Sequence, residues 1–234
     1  MKLGDREVSL SHGSHKPSGG GACVMEVVSV KWLMRHGWSL TDAWNQLTDT
    51  PPCTDPVVYR TAQTINDRLS DDGLLRLELR VDRLMSCHTP NDAMIARRVR
   101  VRVACWAARR VLHLVSESRR EVALRAIETA EAWLRGEATE EDCRVAHAAA
   151  YTAAHAAAYA AAYAAAYAAA DAAAHAAAYA AAYAAADAAA DAATPSDRDD
   201  ILLDFLDEYL DAWEKACAAE GCAADEPPVP EPVA

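Results

Sequence analysis

Residues 93–114 read AMIARRVRVRVACWAARRVLHL, and two periods compete within them. Arg98-Val99-Arg100-Val101-Arg102-Val103 alternates charged and apolar residues with the period of a half-buried strand. Across the longer window, Ile95, Val99, Val103, Trp106 and Leu114 recur at steps of three or four, or a sum of them, which is one stripe of a helix. The helical period spans the whole segment and the alternation only its middle, so the segment reads as a helix opened by Thr89-Pro90-Asn91-Asp92. Arg98, Arg102 and Arg109 then share the side opposite the stripe. With this segment helical, no other clean alternation of β-branched residues remains, and the fold class is all-α, a multi-helix bundle.

The same logic extends in both directions. Downstream, Ser118 with Glu121 forms a capping box for a helix whose face is Ala123, Ile127, Ala130 and Leu134, ending at Gly136. Thr139 caps an alanine-rich helix whose first turn carries Glu140, Glu141 and Asp142, favourable at the positive end of a helix dipole. Upstream, CVMEVVSVKWLMRHG from Cys23 is apolar and helix-length, with Gly37 as its stop. Ser39 or Thr41 caps a short helix through Leu47. Asp55 and Pro56 begin another, as cap and first helical residue. Asp71-Asp72-Gly73 is expected to break that helix before one more over LLRLELRVDRLMSC. Residues 194–218 hold an amphipathic helix whose Ile201, Leu202, Phe205, Leu206, Tyr209 and Trp213 face a core or a partner. Residues 1–21, polar and glycine-rich, and the acidic, proline-rich 219–234 are expected to be disordered tails. Residues 22–88 then form an N-terminal helical region and 89–193 a second one.

Within 140–193, the run from His147 to Asp191 places His, Tyr or Asp at every fourth position, and all else but Thr152 is alanine. Alanine has the highest helix propensity, so helix is expected, either as one long rod of roughly 80 Å or broken into a hairpin. Steps of four advance the stripe by ~40° each on a straight helix, so it winds and presents no flat face. Two roles fit: a spiral that keeps polyalanine in solution, or close packing with tyrosines filling grooves. A structural spacer built on this helix follows from the first. A membrane span does not fit, because Asp171, Asp187 and Asp191 would each cost ~2.5–3.5 kcal/mol near a bilayer centre. His147 and His155 lie ~80° apart, too far to share a metal ion.

The 234 residues carry a formal charge of -12, which disfavours nucleic acid as a partner. Arginines nevertheless gather at Arg97, Arg98, Arg100, Arg102, Arg109, Arg110, Arg119 and Arg120. Seven scattered cysteines, and an N-terminus without the apolar stretch of a signal peptide, point to reduced thiols in a cytoplasm. Cysteine and carboxylate ligands could build a zinc site from Cys23, Glu26 and Cys53, the basis of a zinc-stabilised module or zinc-dependent enzyme, although no CxxC pair occurs. His88 beside Cys87 lacks the glycine-rich elbow of a nucleophile. No phosphate-binding loop or nucleotide fingerprint is present, and no cofactor is implied.

Residues 105–158, CWAARRVLHLVSESRREVALRAIETAEAWLRGEATEEDCRVAHAAAYTAAHAAA, resemble the immunity-protein-five-like family of bacterial immunity proteins. Cys105, Arg110-Val111-Leu112, Ala126-Ile127, Ala130, Ala132-Trp133 and Gly136 carry the likeness, which extends over about 92–193. Cys23, Met25, Glu26, Asp49, Pro52, Cys53, Pro56, Asn66 and Asp67 are similar to an actinobacterial and phage family with a C-x-M-E motif before D-x-P-x-C-x-x-P, here with the aspartate-to-proline spacing stretched. The first resemblance implies toxin neutralisation through a protein partner, and no functional residues carry over. The expectation is therefore a non-enzymatic, protein-binding chain of an actinobacterium or its phage, with Arg98, Arg102, Arg109, Phe205, Tyr209 and Trp213 as contacts.

Overall fold

The computed structural model describes residues 2–3, 6–13, 21–114, 117–154 and 194–222. Among these, helix dominates, and the all-α class holds. The chain divides into two units: Met1–Thr89 with Ala192–Leu210 and Ala224–Ala234, and Pro90–Asp191 with Asp211–Ala223.

In the first unit, α1 (Val24–Arg35) is apolar on nearly every side and is accordingly sunk in the core, with Val24, Met25, Val27, Val28, Val30, Trp32 and Leu33 all buried. It packs against α2 (Leu40–Asn45), α3 (Pro56–Asn66) and α5 (Val81–Met85). Gly37 takes φ +89°, the left-handed conformation that ends α1 where expected. Ser39 is the cap of α2, accepting from Asp42 N at 3.1 Å. Asp55 caps α3 through Val57 N at 3.0 Å, and its second oxygen accepts from the Thr89 hydroxyl at 2.7 Å.

Two expectations for this unit need correction. Asp71-Asp72-Gly73 is a helix start rather than a break: Ser70 caps α4 (Asp71–Leu77), and Gly73 lies inside it. A Cβ on Gly73 would stand 2.6 Å from Asp199 Cγ, so glycine serves close approach here. A 3-10 turn over Glu78–Arg80 then separates α4 from α5 where one helix was expected. Within the 1–21 segment, the described residues 2–3, 6–13 and 21 carry short strands. β1 (Lys2–Leu3) pairs antiparallel with β2 (Arg6–Glu7), and β3 (Ser9–Leu10) pairs parallel with β4 (Gly21–Ala22). Burial of Leu3, Val8 and Leu10 supplies the driving force. Asn66 fastens the segment, donating to Ser11 O at 3.0 Å while accepting from Val24 N at 3.1 Å. His12 donates to Leu69 O at 2.9 Å.

The first unit is completed by the start of the last helix, Pro195–Ala219. Arg76 pairs with Asp200 at 2.6 Å, and Arg80 reaches Asp207 through Nε at 3.2 Å.

In the second unit, α6 (Ala93–Val111) settles the competition between periods in favour of the helix. Asp92 caps it through Met94 N and Ile95 N at 2.8 and 2.9 Å. Val99 and Val103 are buried as expected, and Val101 is buried with them. α7 (Glu117–Arg135) starts one residue before the expected cap Ser118. It buries Ala123, Ile127, Ala130 and Leu134, and adds Ala126. α8 (Glu140–Ala154) opens with Thr139 accepting from Asp142 N at 3.2 Å while Asp142 accepts from Thr139 N at 2.8 Å. α7 packs on both α6 and α8. The last helix is α9 (Pro195–Ala219). The expectations for the tetrad run beyond Ala154 (winding stripe, spacer, rod or hairpin) and for the C-terminal tail beyond Cys222 lie outside the described residues.

Candidate functional site

Within the second unit, α6, α7 and α9 border an open recess of about 530 Å³. Its floor is apolar, from Cys105, Trp106, Leu134, Ala212, Ala216 and Ala219. The three alanines recur at helical spacing on α9, and their lack of bulk leaves the space. The rim is cationic: Arg102 and Arg109 from α6, Arg135 from α7 and Lys215 from α9, with Glu131 as the acidic group of the lining. A cation excess at one place in a chain of net charge -12 is a local departure from its overall field.

The arginines are held in place by carboxylates. Arg109 makes a two-pronged pair with Glu131, both contacts 2.7 Å, which holds the guanidinium above its already high value. Glu220 receives Arg98 Nε on one oxygen and Arg102 Nε on the other, each at 2.5 Å. Burial alone would raise the Glu220 carboxyl, but these hydrogen bonds and the two positive charges outweigh it and hold the group below the usual carboxylate range. Arg98 also donates to Leu134 O at 2.7 Å, fixing the end of α7. Arg135 pairs with Glu137 at 2.7 Å. Lys215 differs: among the described residues no carboxylate pairs with it.

Of the expected contact residues, Arg102 and Arg109 line the recess, and Arg98 adjoins it through Glu220. Phe205, Tyr209 and Trp213 need correction. They are 4%, 0% and 2% exposed, so these rings fill the chain's own interior and are closed to a partner. Ile201, expected on the same face, is 42% exposed. The last helix does reach the recess, but through its small side. Lys215, Trp106 and Arg135 were missed as site residues. The available signal was the spacing Ala212, Ala216, Ala219 with a lysine set among them on an otherwise acidic helix.

Cys23, Glu26 and Cys53 do not assemble as metal ligands. Glu26 spends its carboxylate on the Cys23 backbone amide at 2.7 Å, closing the first turn of α1. Burial pushes the Cys23 thiol up to about 12, away from the thiolate a metal needs. Cys53 offers its backbone carbonyl, not its sulfur, to His88 Nδ1 at 2.8 Å. Among the described residues no group of three His, Cys, Asp or Glu side chains could hold a metal ion. Cys87 donates to Arg83 O at 3.3 Å, an ordinary helix-end contact. Burial likewise pushes the Cys105 thiol up to about 12, so the recess floor offers it as a small apolar surface.

Compared with protein-family models, curated proteins and solved structures, the chain matches none. Among the described residues, no helix is long and apolar enough to cross a membrane.

Proposed function

We propose that this chain is a non-enzymatic binding protein whose second unit docks a protein partner at the recess, and that the partner is a toxin it neutralises in the cytoplasm of an actinobacterium or its phage. One observation carries the docking reading: Lys215 stands without a carboxylate partner among the described residues, beside an apolar floor and three arginines. Such a surface suits an acidic side chain next to an apolar anchor. Tryptophan and arginine are the residue types most enriched where binding energy concentrates, and a charged rim steers encounter and orientation. The resemblance of residues 105–158 to the immunity family supports neutralisation as the purpose. The absence of a disulfide among the described cysteines suits a reducing compartment. The raised Cys23 and Cys105 thiols weigh against nucleophilic chemistry at those two buried positions.

The test places a photo-crosslinking residue at Ala219, on the recess floor, and a control at Arg60 in the first unit. In source cells, one protein adduct is expected from position 219, lost when Arg109→Glu and Lys215→Glu are added. That protein, expressed alone, should arrest growth, and co-expression of the wild-type chain should relieve the arrest. No adduct at 219, or an adduct that survives both charge reversals, would overturn docking at the recess. An adduct whose protein is harmless would overturn neutralisation.

A further inference from the structure

α9 ends in a Schellman-type cap. Gly221 takes φ +67°, its N–H donates to Ala218 O at 3.3 Å, and Cys222 N donates to Cys217 O at 3.0 Å. That last bond spans six residues and sets positions 217 and 222 side by side, where such caps commonly carry an apolar contact. Here both positions are cysteine. The cap that closes α7 has the same form, with Gly136 at φ +77° and Glu137 N donating to Ala132 O at 2.9 Å, but pairs alanine with glutamate. Cys217 and Cys222 are partly exposed thiols, whereas Cys23, Cys53, Cys87, Cys105 and Cys143 are buried. A disulfide needs Cα atoms roughly 4.4–6.8 Å apart. The 3.0 Å bond from Cys222 N to Cys217 O brings the two backbones together at the cap, which is the geometry the bridge calls on.

We propose that Cys217 and Cys222 form a thiol-modification site that reacts with a low-molecular-weight disulfide of the glutathione type. One cysteine thiolate attacks a sulfur of the small disulfide, whose S–S bond breaks and releases one small thiolate. The other cysteine then attacks the mixed disulfide, forming the 217–222 bond and releasing the second. The two cysteine protons end on the two small thiols, the protein loses two electrons, and the small disulfide gains them. Glu220 lies between the pair and anchors Arg98 and Arg102, so the modification acts on the segment that holds the arginine side of the recess. The site stands apart from the docking reading and does not depend on it. Transient disulfides of this kind are the usual form in reducing compartments.

The experiment incubates the full-length chain with oxidised glutathione and follows intact mass and released reduced glutathione. The expected product is lighter by two hydrogens, with two glutathiones released per chain. Proteolytic cleavage after Glu220 should leave two peptides joined only by the new bond. Cys222→Ser should stop at a stable glutathione adduct on Cys217. Stable adducts on the wild-type cysteines, a disulfide joining any other pair, or no reaction at either thiol would each overturn the proposal.

Discussion

The backbone amide of Ser70 donates to Asp199 Oδ1 at 3.0 Å, and the Ser70 hydroxyl donates to the same carboxylate. Ser70 is also the cap of α4, accepting from Gly73 N at 3.2 Å. Two residues 129 positions apart thus share the start of one short helix. Asp199 is 2% exposed, so its charge is stabilised by these donors rather than by water. The first unit is consequently built from both ends of the chain, and it is incomplete without the start of α9.

This close approach makes Gly73 a sensitive position. Gly73→Ala places a methyl 2.6 Å from the Asp199 carboxyl carbon and should destabilise by about 1–3 kcal/mol through overpacking. Asp199→Ala should cost about 1–3 kcal/mol, because the Ser70 donors lose their acceptor. Combined, the two should cost less than their sum, since removing the carboxylate also removes the clash. Urea unfolding of the four proteins measures the coupling, and strict additivity would show that the two residues do not meet.

The buried rings of α9 separate folding from binding. Trp213→Ala should lower stability by about 3–5 kcal/mol, as expected of a large aromatic side chain removed from a core. Lys215→Glu, two residues away and exposed, should change stability by no more than about 0.5 kcal/mol. Denaturant midpoints with unchanged slopes check both. A near-neutral Trp213→Ala would return that ring to the list of partner contacts.

Glu220 sets a pH dependence with a definite sign. Its carboxyl is depressed in the folded chain, so the stabilisation is fully present above the unfolded value near ~4.3 and is lost as pH falls through the lower folded value. Glu220→Gln should cost roughly 1–3 kcal/mol at neutral pH, where the carboxylate is hydrogen-bonded to two arginines. Once pH has fallen below the depressed folded value, the wild-type and variant stabilities should converge. Parallel curves over the whole range would mean that Arg98 and Arg102 do not depress this group.

The helix ends were the most legible part of the sequence, because caps act within a turn. Asp55 before Pro56, Asp92, Thr139, Gly37 and Gly136 all mark boundaries where the structure has them. Gly73 misled because its role is set by Asp199, far away in sequence. The N-terminal strands escaped notice because two-residue segments carry no readable period, and burial of Leu3, Val8 and Leu10 depends on what covers them. The site was half legible. Arg102 and Arg109 could be placed opposite an apolar stripe from one helix alone, whereas Lys215 joins them only once α6 and α9 are folded. An apolar face such as Phe205, Tyr209 and Trp213 states that something covers it, but not whether the cover is core or partner.

The docking reading is tested most directly by the association rate of the crosslinked partner with the wild-type chain and with the Arg109→Glu/Lys215→Glu variant, measured across ionic strength. The variant should associate more slowly by about tenfold or more at low salt, and the gap should close as salt screens the rim. Equal rates at low salt, with both proteins folded, would contradict binding at this recess.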